Sequence, residues 1–353
     1  LLGTGRKGPG EPSVVGKRGV AFCGRSGKGS RQATVVGAPS SPHYASKPCA
    51  DSIPGYADGS GGGGPPQILG RSAVGRKSVD ALVACPAPDI IDGIPCYAAD
   101  LLGKEDGYDS SHHGELAELA VDNWWFTQRN ALIVYALTTH FPSARSYMEI
   151  GCGSGIVLDA VSRALPGLEM VGSELFTSGL DETRRFVPHV DVVQMDARRI
   201  PFTQAFSVIG AYDVIEHIEA DDEVLAQMYK AVVPGGGIIL TVPQHQWMWS
   251  LADEQAHHVR RYNRQGLEDV VTQAGFEVVW TTSFVSLLTP PMMAARLVGD
   301  EQKRRDDPYV DFRLSPTVNR VLESVSRVER RMMRAGVRFP IGGSRILVAR
   351  KPV

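Results

Sequence analysis

With 353 residues, 43% of them hydrophobic and 22% charged, the chain has the composition of a globular protein of one large or two small domains. Its formal charge of -2 supplies no global attraction to nucleic acid or to an acidic membrane. The five widely spaced cysteines (Cys23, Cys49, Cys85, Cys96, Cys152) form no C-x-x-C pair, which argues against a zinc ribbon or disulfide framework and fits reduced thiols.

The charge is unevenly distributed. Residues 1–80 carry eleven Lys/Arg against Glu11, Asp51, Asp58 and Asp80, and 18 of the 38 glycines. Their only aromatics are Phe22, Tyr44 and Tyr56. So little apolar surface cannot offset the entropy of ordering, so this stretch reads as a disordered Gly/Ser/Arg-rich tail, with a basic binding arm as the alternative. The first residue is Leu1 rather than Met, which reads as a fragment or an upstream-extended sequence. Within the tail, "CGRSGKGS" mimics a phosphate loop. However, Phe22 stands where that loop needs glycine and Gly29 where it needs Ser or Thr. A charged-then-apolar leader and a run of 18 apolar residues are both missing, so a cytoplasmic, non-spanning protein is expected.

Residues 81–143 read as an N-terminal cap. Leu116, Leu119, Ala120, Trp124, Leu132, Tyr135 and Ala136 recur at helical spacing from Glu115 to about His140, with a break near Asp122–Asn123. Trp124 and Trp125 either pack in the core or wall a site. From Ser146 strands and helices alternate. The strands are expected at Tyr147–Ile150, Glu169–Ser173, Asp191–Met195, Ser207–Tyr212, Gly237–Val242, Phe276–Thr282 and Ser344–Lys351. The helices are expected at Gly155–Ala164, Thr177–Phe186, Asp221–Val232 and Arg264–Ala274. That alternation implies right-handed βαβ units and a parallel sheet covered on both faces. Residues 284–343 form an insertion before the last strand. Its helix, Pro316–Gly336, has an apolar stripe of Val318, Val321, Leu322, Val325, Val328 and Met332, with Arg320, Arg327, Arg330, Arg331 and Arg334 largely off it. A lid helix with solvated arginines and a membrane-surface helix both fit this pattern.

The stretch "YMEIGCGSGIVLDAV" sits where open parallel sheets bind ligands, beyond the carboxyl end of the first strand of the alternation. Gly151, Gly153 and Gly155 let backbone approach a ligand closely. A dinucleotide turn needs a third glycine at position 156, which is Ile156, and Glu149 disfavours a pyrophosphate while suiting a sulfonium or amino group. Glu174 closes the next strand, where an acid takes ribose hydroxyls. Met195 and Asp196 follow the third strand, where they suit a purine face and its amino group. Each has a bland reading too, Glu174 as a carboxylate at a helix N-terminus and Asp196 as a turn former.

Taken in order, "EIGCGSG", "GSELF", "QMDARRIPF", "FSVIGAYDVIEHI" and "VVPGGGIILTVP" resemble the class I S-adenosylmethionine-dependent methyltransferases, over roughly Ser146 to Thr282 plus Ser344–Lys351. The resemblance implies an α/β fold: a Rossmann-like, seven-stranded, mostly parallel sheet with helices on both faces and the last strand antiparallel, within a methyltransferase domain at 144–353. It also implies S-adenosyl-L-methionine as cofactor. Glu149, Gly151, Cys152, Gly153 and Gly155 would hold its methionine end, Glu174 its ribose, and Met195, Asp196 and Ala197 its adenine. Tyr212 and Asp213 would face the methyl group. "NWWFTQRN" and "HHVRRYNRQGLEDVVTQAGF" look like bacterial members that act on small molecules.

The expected activity is methyl transfer to a small-molecule acceptor, at oxygen, with His217 as base beside Tyr212. His245, His257, His258 and Tyr262 are the candidate acceptor-binding residues. No metal is expected, because Glu216–His217 matches the metal-binding pair of some quinone-pathway methyltransferases only in part. A nucleic-acid substrate is disfavoured by the acidic catalytic region and by the absence of an "NPPY"-type tetrapeptide. Cofactor binding without turnover is the alternative from another class, and an NAD-dependent oxidoreductase is the third.

Overall fold

The computed structural model describes residues 87–102, 119–120, 122–298, 301–307 and 309–353. The expected tail at 1–80 and the helix start at 115–118 lie outside the described residues.

Among the described residues, nine strands form one sheet: β1 Asp89–Ile91, β2 Ile94–Cys96, β3 Ser146–Ile150, β4 Glu169–Glu174, β5 Asp191–Gln194, β6 Phe206–Tyr212, β7 Val232–Pro243, β8 Glu277–Phe284 and β9 Ser344–Arg350. Their spatial order is β1-β2-β5-β4-β3-β6-β7-β9-β8. Strands β3 to β7 run parallel, and β9 lies antiparallel between β7 and β8. The expected seven strands are therefore present with the last one antiparallel, and two further strands raise the count to nine. The addition is a hairpin turned at Asp92–Gly93, both with positive φ as a two-residue turn requires. It joins β5 through Cys96 opposite Gln194, and the Gln194 side chain bonds Ala98 N and O (3.0 and 3.1 Å) and Leu175 O (3.0 Å).

Side chains alternate between two buried layers, as the strand period demands. One layer joins Tyr147, Met170, Val192, Val208, Ile239 and Ile346 to helices α1 (Trp124–His140), α2 (Ile156–Ala164) and α3 (Thr177–Phe186). The other joins Met148, Val171, Val193, Ile209, Leu240 and Leu347 to α4 (Asp221–Ala231) and, across the short α5 (Leu251–Gln255) in sequence, α6 (Arg264–Gln273). Asn123 caps α1 by accepting from Trp125 N (2.9 Å), which explains the break expected there. Trp124 is buried in the core.

The insertion holds α7 (Thr289–Val298), α8 (Glu301–Asp306) and α9 (Pro316–Arg334). Helix α9 departs from the expected stripe. Its buried residues are Ser326, Glu329, Arg330 and Met333, whereas Val318, Val321 and Val328 are exposed. Polar contacts set this rotation. Gln128 Nε2 donates to Glu329 Oε1 (3.2 Å), Arg330 Nη1 donates to Gln128 Oε1 (2.5 Å), and Asn319 joins Trp124 N (2.9 Å) and Asp122 O (2.7 Å). Buried polar groups left unpaired would cost more than three half-exposed valines, so the network prevails. No helix among the described residues is long and apolar enough to cross a membrane.

Candidate active site

A cavity of about 710 Å³ opens at the carboxyl ends of β3 to β6. Glu149, Gly151, Cys152, Gly153, Glu174, Met195, Asp196, Ala197, Tyr212, Asp213, His217 and His257 all line it. Gly155 does not line it but makes the turn, as the α2 N-cap at φ 81°. Gly151 also has positive φ, and a Cβ there would overlap Val214. The turn is tied by Gly155 N to Cys152 O (2.9 Å) and by Thr183 Oγ1 to Gly153 O (2.7 Å). At Gly153 a Cβ would meet nothing within 4 Å, so the cradle is open above that residue.

Glu149 is buried at the cavity wall, where Tyr147 Oη reaches its Oε2 (3.5 Å) while donating to Tyr212 Oη (3.0 Å). Burial raises its pKa to about 8, against the lowering pull of Arg129. The carboxyl is thus mostly neutral at pH 7 until a cation arrives. Glu174 accepts from Gly153 N (3.0 Å) and Leu175 N (2.8 Å), which locks the acid to the turn it faces. Asp196 is buried, which raises its pKa, yet Arg198 bonds (Nε and Nη2, both 3.0 Å) hold it below the ordinary carboxylate value.

Two residues that sequence reasoning missed shape the site. Arg129 pairs with Asp213 (2.7 Å), stacks on Trp125 (4.7 Å) and Phe126 (5.3 Å), and keeps a buried Nε with no partner. The only advance signal for it was its place one turn after Phe126 on a helix. Asp253 is fully buried and binds Arg261 (2.6 and 2.9 Å), His258 Nδ1 (2.9 Å) and Ser250 N (2.8 Å). The signal for that acid was the capping-box spacing Ser250–Asp253.

His217 is pushed down to about 4 by burial, with the neighbouring His258 adding to the shift. It is therefore a neutral imidazole throughout the physiological range, not one that titrates near neutrality as histidine ordinarily does. His245, His258 and Tyr262 stand outside the cavity lining. His245 stacks on Trp247 (5.3 Å), and Tyr262 donates a short hydrogen bond to Asp221, to which Arg260 is also paired (2.6 Å). Glu216, His217 and His258 bring ligand atoms within 4.8 Å of one another, a spacing that can hold a cation. Glu216 is fully buried with neither oxygen hydrogen-bonded, and His258 Nε2 lies 4.0 Å from its Oε1.

Three strands, β6, β7 and (beyond β9) β8, end at this edge with non-glycine residues at positive φ: Asp213 (57°), His245 (63°) and Val285 (60°) respectively. Backbone strain of this kind collects at functional edges held by a rigid scaffold.

The methyltransferase-domain family matches residues 123–281, which contain most of the residues that build this cavity. This match and the relatives below support a class I S-adenosylmethionine-dependent methyltransferase family for the domain at 123–281. A relative from Mycolicibacterium smegmatis, described as a probable S-adenosylmethionine-dependent methyltransferase, is 25% identical over 163 residues, covering 45% of this chain and 62% of its own length. The ubiquinone biosynthesis O-methyltransferase of Photorhabdus laumondii is 24% identical over 134 residues, covering 35% of this chain and 54% of its own. The chain thus spans less than two thirds of both relatives. Among solved structures, Haemonchus contortus phosphoethanolamine N-methyltransferase 2 in complex with S-adenosyl-L-methionine aligns at TM-score 0.48 and 18% identity, covering 71% of this chain and 59% of that one.

The cofactor of a class I methyltransferase is S-adenosylmethionine, and the cavity suits it. The lining acids Glu149, Glu174, Asp196, Asp213 and Glu219 outnumber the cations Arg129 and Arg198, each of which is already paired with an acid. Such a lining favours a cationic, phosphate-free adenosyl ligand over a dinucleotide.

Proposed function

We propose that the chain transfers a methyl group from S-adenosylmethionine to a small-molecule acceptor, at oxygen. The observation that carries this reading is the buried Glu149 carboxyl in a cavity with no unpaired cation for a pyrophosphate. Glu149 and the Gly151–Gly155 turn hold the methionine end. Glu174 takes the ribose, and Met195, Asp196 and Ala197 take the adenine. When bound, the cofactor supplies an electrophilic methyl group on a sulfonium. The chain's own task is alignment of acceptor and donor, the larger part of such a rate enhancement.

His217 serves as base. Burial keeps its imidazole neutral at neutral pH, so a ring nitrogen can accept the acceptor's proton. With an oxygen acceptor, His217→Ala should lower kcat about 10²-fold or more with little change in cofactor affinity. An equal loss in cofactor binding would assign His217 to the cofactor instead.

Glu149 gives a second expectation. A sulfonium beside it favours the anion, so binding near pH 7 should release a proton, and cofactor affinity should rise as pH climbs toward 8. Calorimetry in two buffers of different ionisation enthalpy reads that proton. Glu149→Gln should abolish the release and flatten the pH dependence.

Isotopically labelled donor with acceptor panels, read by mass spectrometry, tests the activity. Binding of S-adenosylhomocysteine without labelled product on any panel would favour a binding protein without turnover. Binding of NADH in preference to S-adenosylhomocysteine would overturn the reading altogether.

A further inference from the structure

Helix α9 presents a face that the cavity does not use. Its buried side is fastened to α1 by the Gln128, Glu329 and Arg330 contacts. Its outward side carries Arg320, Arg327, Arg331 and Arg334, spread over about 21 Å of helix. About a quarter turn round the helix from this arginine row lie Val321 and Val328, which are 58% and 47% exposed, with Val318 (46%) further round. Neither acid of the helix balances the row from the outward side. Glu329 is buried, and Glu323 is mostly buried, bonded to Arg330 (2.7 Å) and only loosely to Arg327 (3.7 Å). Arg320 and Arg331 have no acidic partner among the described residues, and Arg334 merely lies over the Tyr135 ring (5.7 Å). Arg327 and Arg331 are one turn apart, as are Arg331 and Arg334, so these like charges repel until an opposing surface neutralises them. All this belongs to a chain whose net charge is -2.

We propose that this face of α9 docks the protein onto an anionic lipid surface. The arginines meet the phosphate headgroups, and the valine edge lies at the boundary with the acyl chains. Nucleic acid would satisfy the arginines equally well but gives the valines nothing to bury against. Val337 and Ile341, just beyond the helix, are exposed as well (37% and 51%). The inference does not depend on the methyl acceptor or on turnover.

The test is flotation of the full chain with phosphatidylcholine vesicles and with vesicles containing one quarter phosphatidylglycerol, at low and high salt. Partition into the anionic vesicles should be at least roughly tenfold stronger than into the neutral ones, and salt should weaken it. Arg320→Gln with Arg331→Gln should lower partition about 25-fold, fivefold for each arginine neutralised. Arg163→Gln, an exposed arginine on α2, should leave it unchanged. Val321→Ser with Val328→Ser should remove the binding that survives high salt. Circular dichroism and cofactor affinity should be unaltered in every variant. Equal partition into both vesicle types, or no partition at all, would overturn the proposal. So would binding to duplex DNA, or self-association through this face, without vesicle binding.

Discussion

Gly153→Arg should abolish S-adenosylmethionine binding while the sheet stays folded. Gly153 has φ 52°, and the space above it is open cavity, so a long cationic side chain meets no wall and extends into the volume the cofactor needs. It also places a positive charge close to Glu174, whose carboxylate accepts from the Gly153 amide, in a cavity proposed to hold a cationic cofactor. The backbone cost of a left-handed non-glycine residue is about 1–2 kcal/mol, which a sheet of nine strands absorbs. Calorimetry should therefore show at least a hundredfold loss of affinity, with only a small drop in the melting temperature of the unliganded protein. Retained affinity would place the ligand elsewhere. Collapse of the fold would mean that the turn is structural first, and the shorter Gly153→Ala would then separate the two effects.

The largest stability effect should come from Asp253→Ala. This carboxylate holds the Arg261 guanidinium through two bonds, His258 Nδ1 and the Ser250 amide, and its own exposure is nil. Despite burial, which pushes the other way, those partners hold its pKa far below the usual carboxylate value. Removing the acid strands a nearly buried arginine, a change that typically costs about 3–5 kcal/mol. Denaturant unfolding of Asp253→Ala should show a loss of that order, and Asp253→Asn a smaller one. The sign with pH follows from the lowered pKa. The stabilisation is complete above the unfolded value near 3.8 and declines as pH falls toward the folded one. His217 adds a second acid-side loss. Its folded pKa of about 4 lies below the ordinary 6.5, so the unfolded chain binds the extra proton between those values. Glu149 acts on the alkaline side, because its folded pKa of about 8 exceeds 4.5 and the unliganded protein should lose stability as pH rises between them. The two windows overlap between 4.5 and 6.5 and oppose each other there, so stability of the unliganded chain should be roughly level across that range and fall from 6.5 to about 8, a fall that Glu149→Gln should remove.

The βα alternation was readable in advance because each element carries its own period. The expected Thr177–Phe186 helix has the observed bounds, and β3 to β9 fall within a few residues of expectation, β7 alone starting well earlier. The β1–β2 hairpin was not readable, since three-residue strands carry no measurable period and only the Asp-Gly turn announced them. The α9 rotation escaped because a stripe count ranks apolar positions, whereas the helix obeys Gln128, just over two hundred residues away in sequence. The glycines and Glu149 were visible as a pattern, but the pKa shifts of Glu149 and His217 come from burial, which a linear sequence does not display. Arg129 met the same obstacle, as its partner Asp213 is brought to it only by the fold.

The hairpin at residues 89–96 bears on where this protein can be cut. The family match begins at residue 123, which invites trimming to that point. Trimming there would bare the flank of β5, Asp191–Gln194, whose backbone the hairpin now reaches and whose Gln194 side chain is tied to Ala98. An uncovered strand flank is a template for another chain. A shortened protein beginning at 123 is therefore expected to aggregate, whereas one that keeps residue 87 onward should stay dispersed.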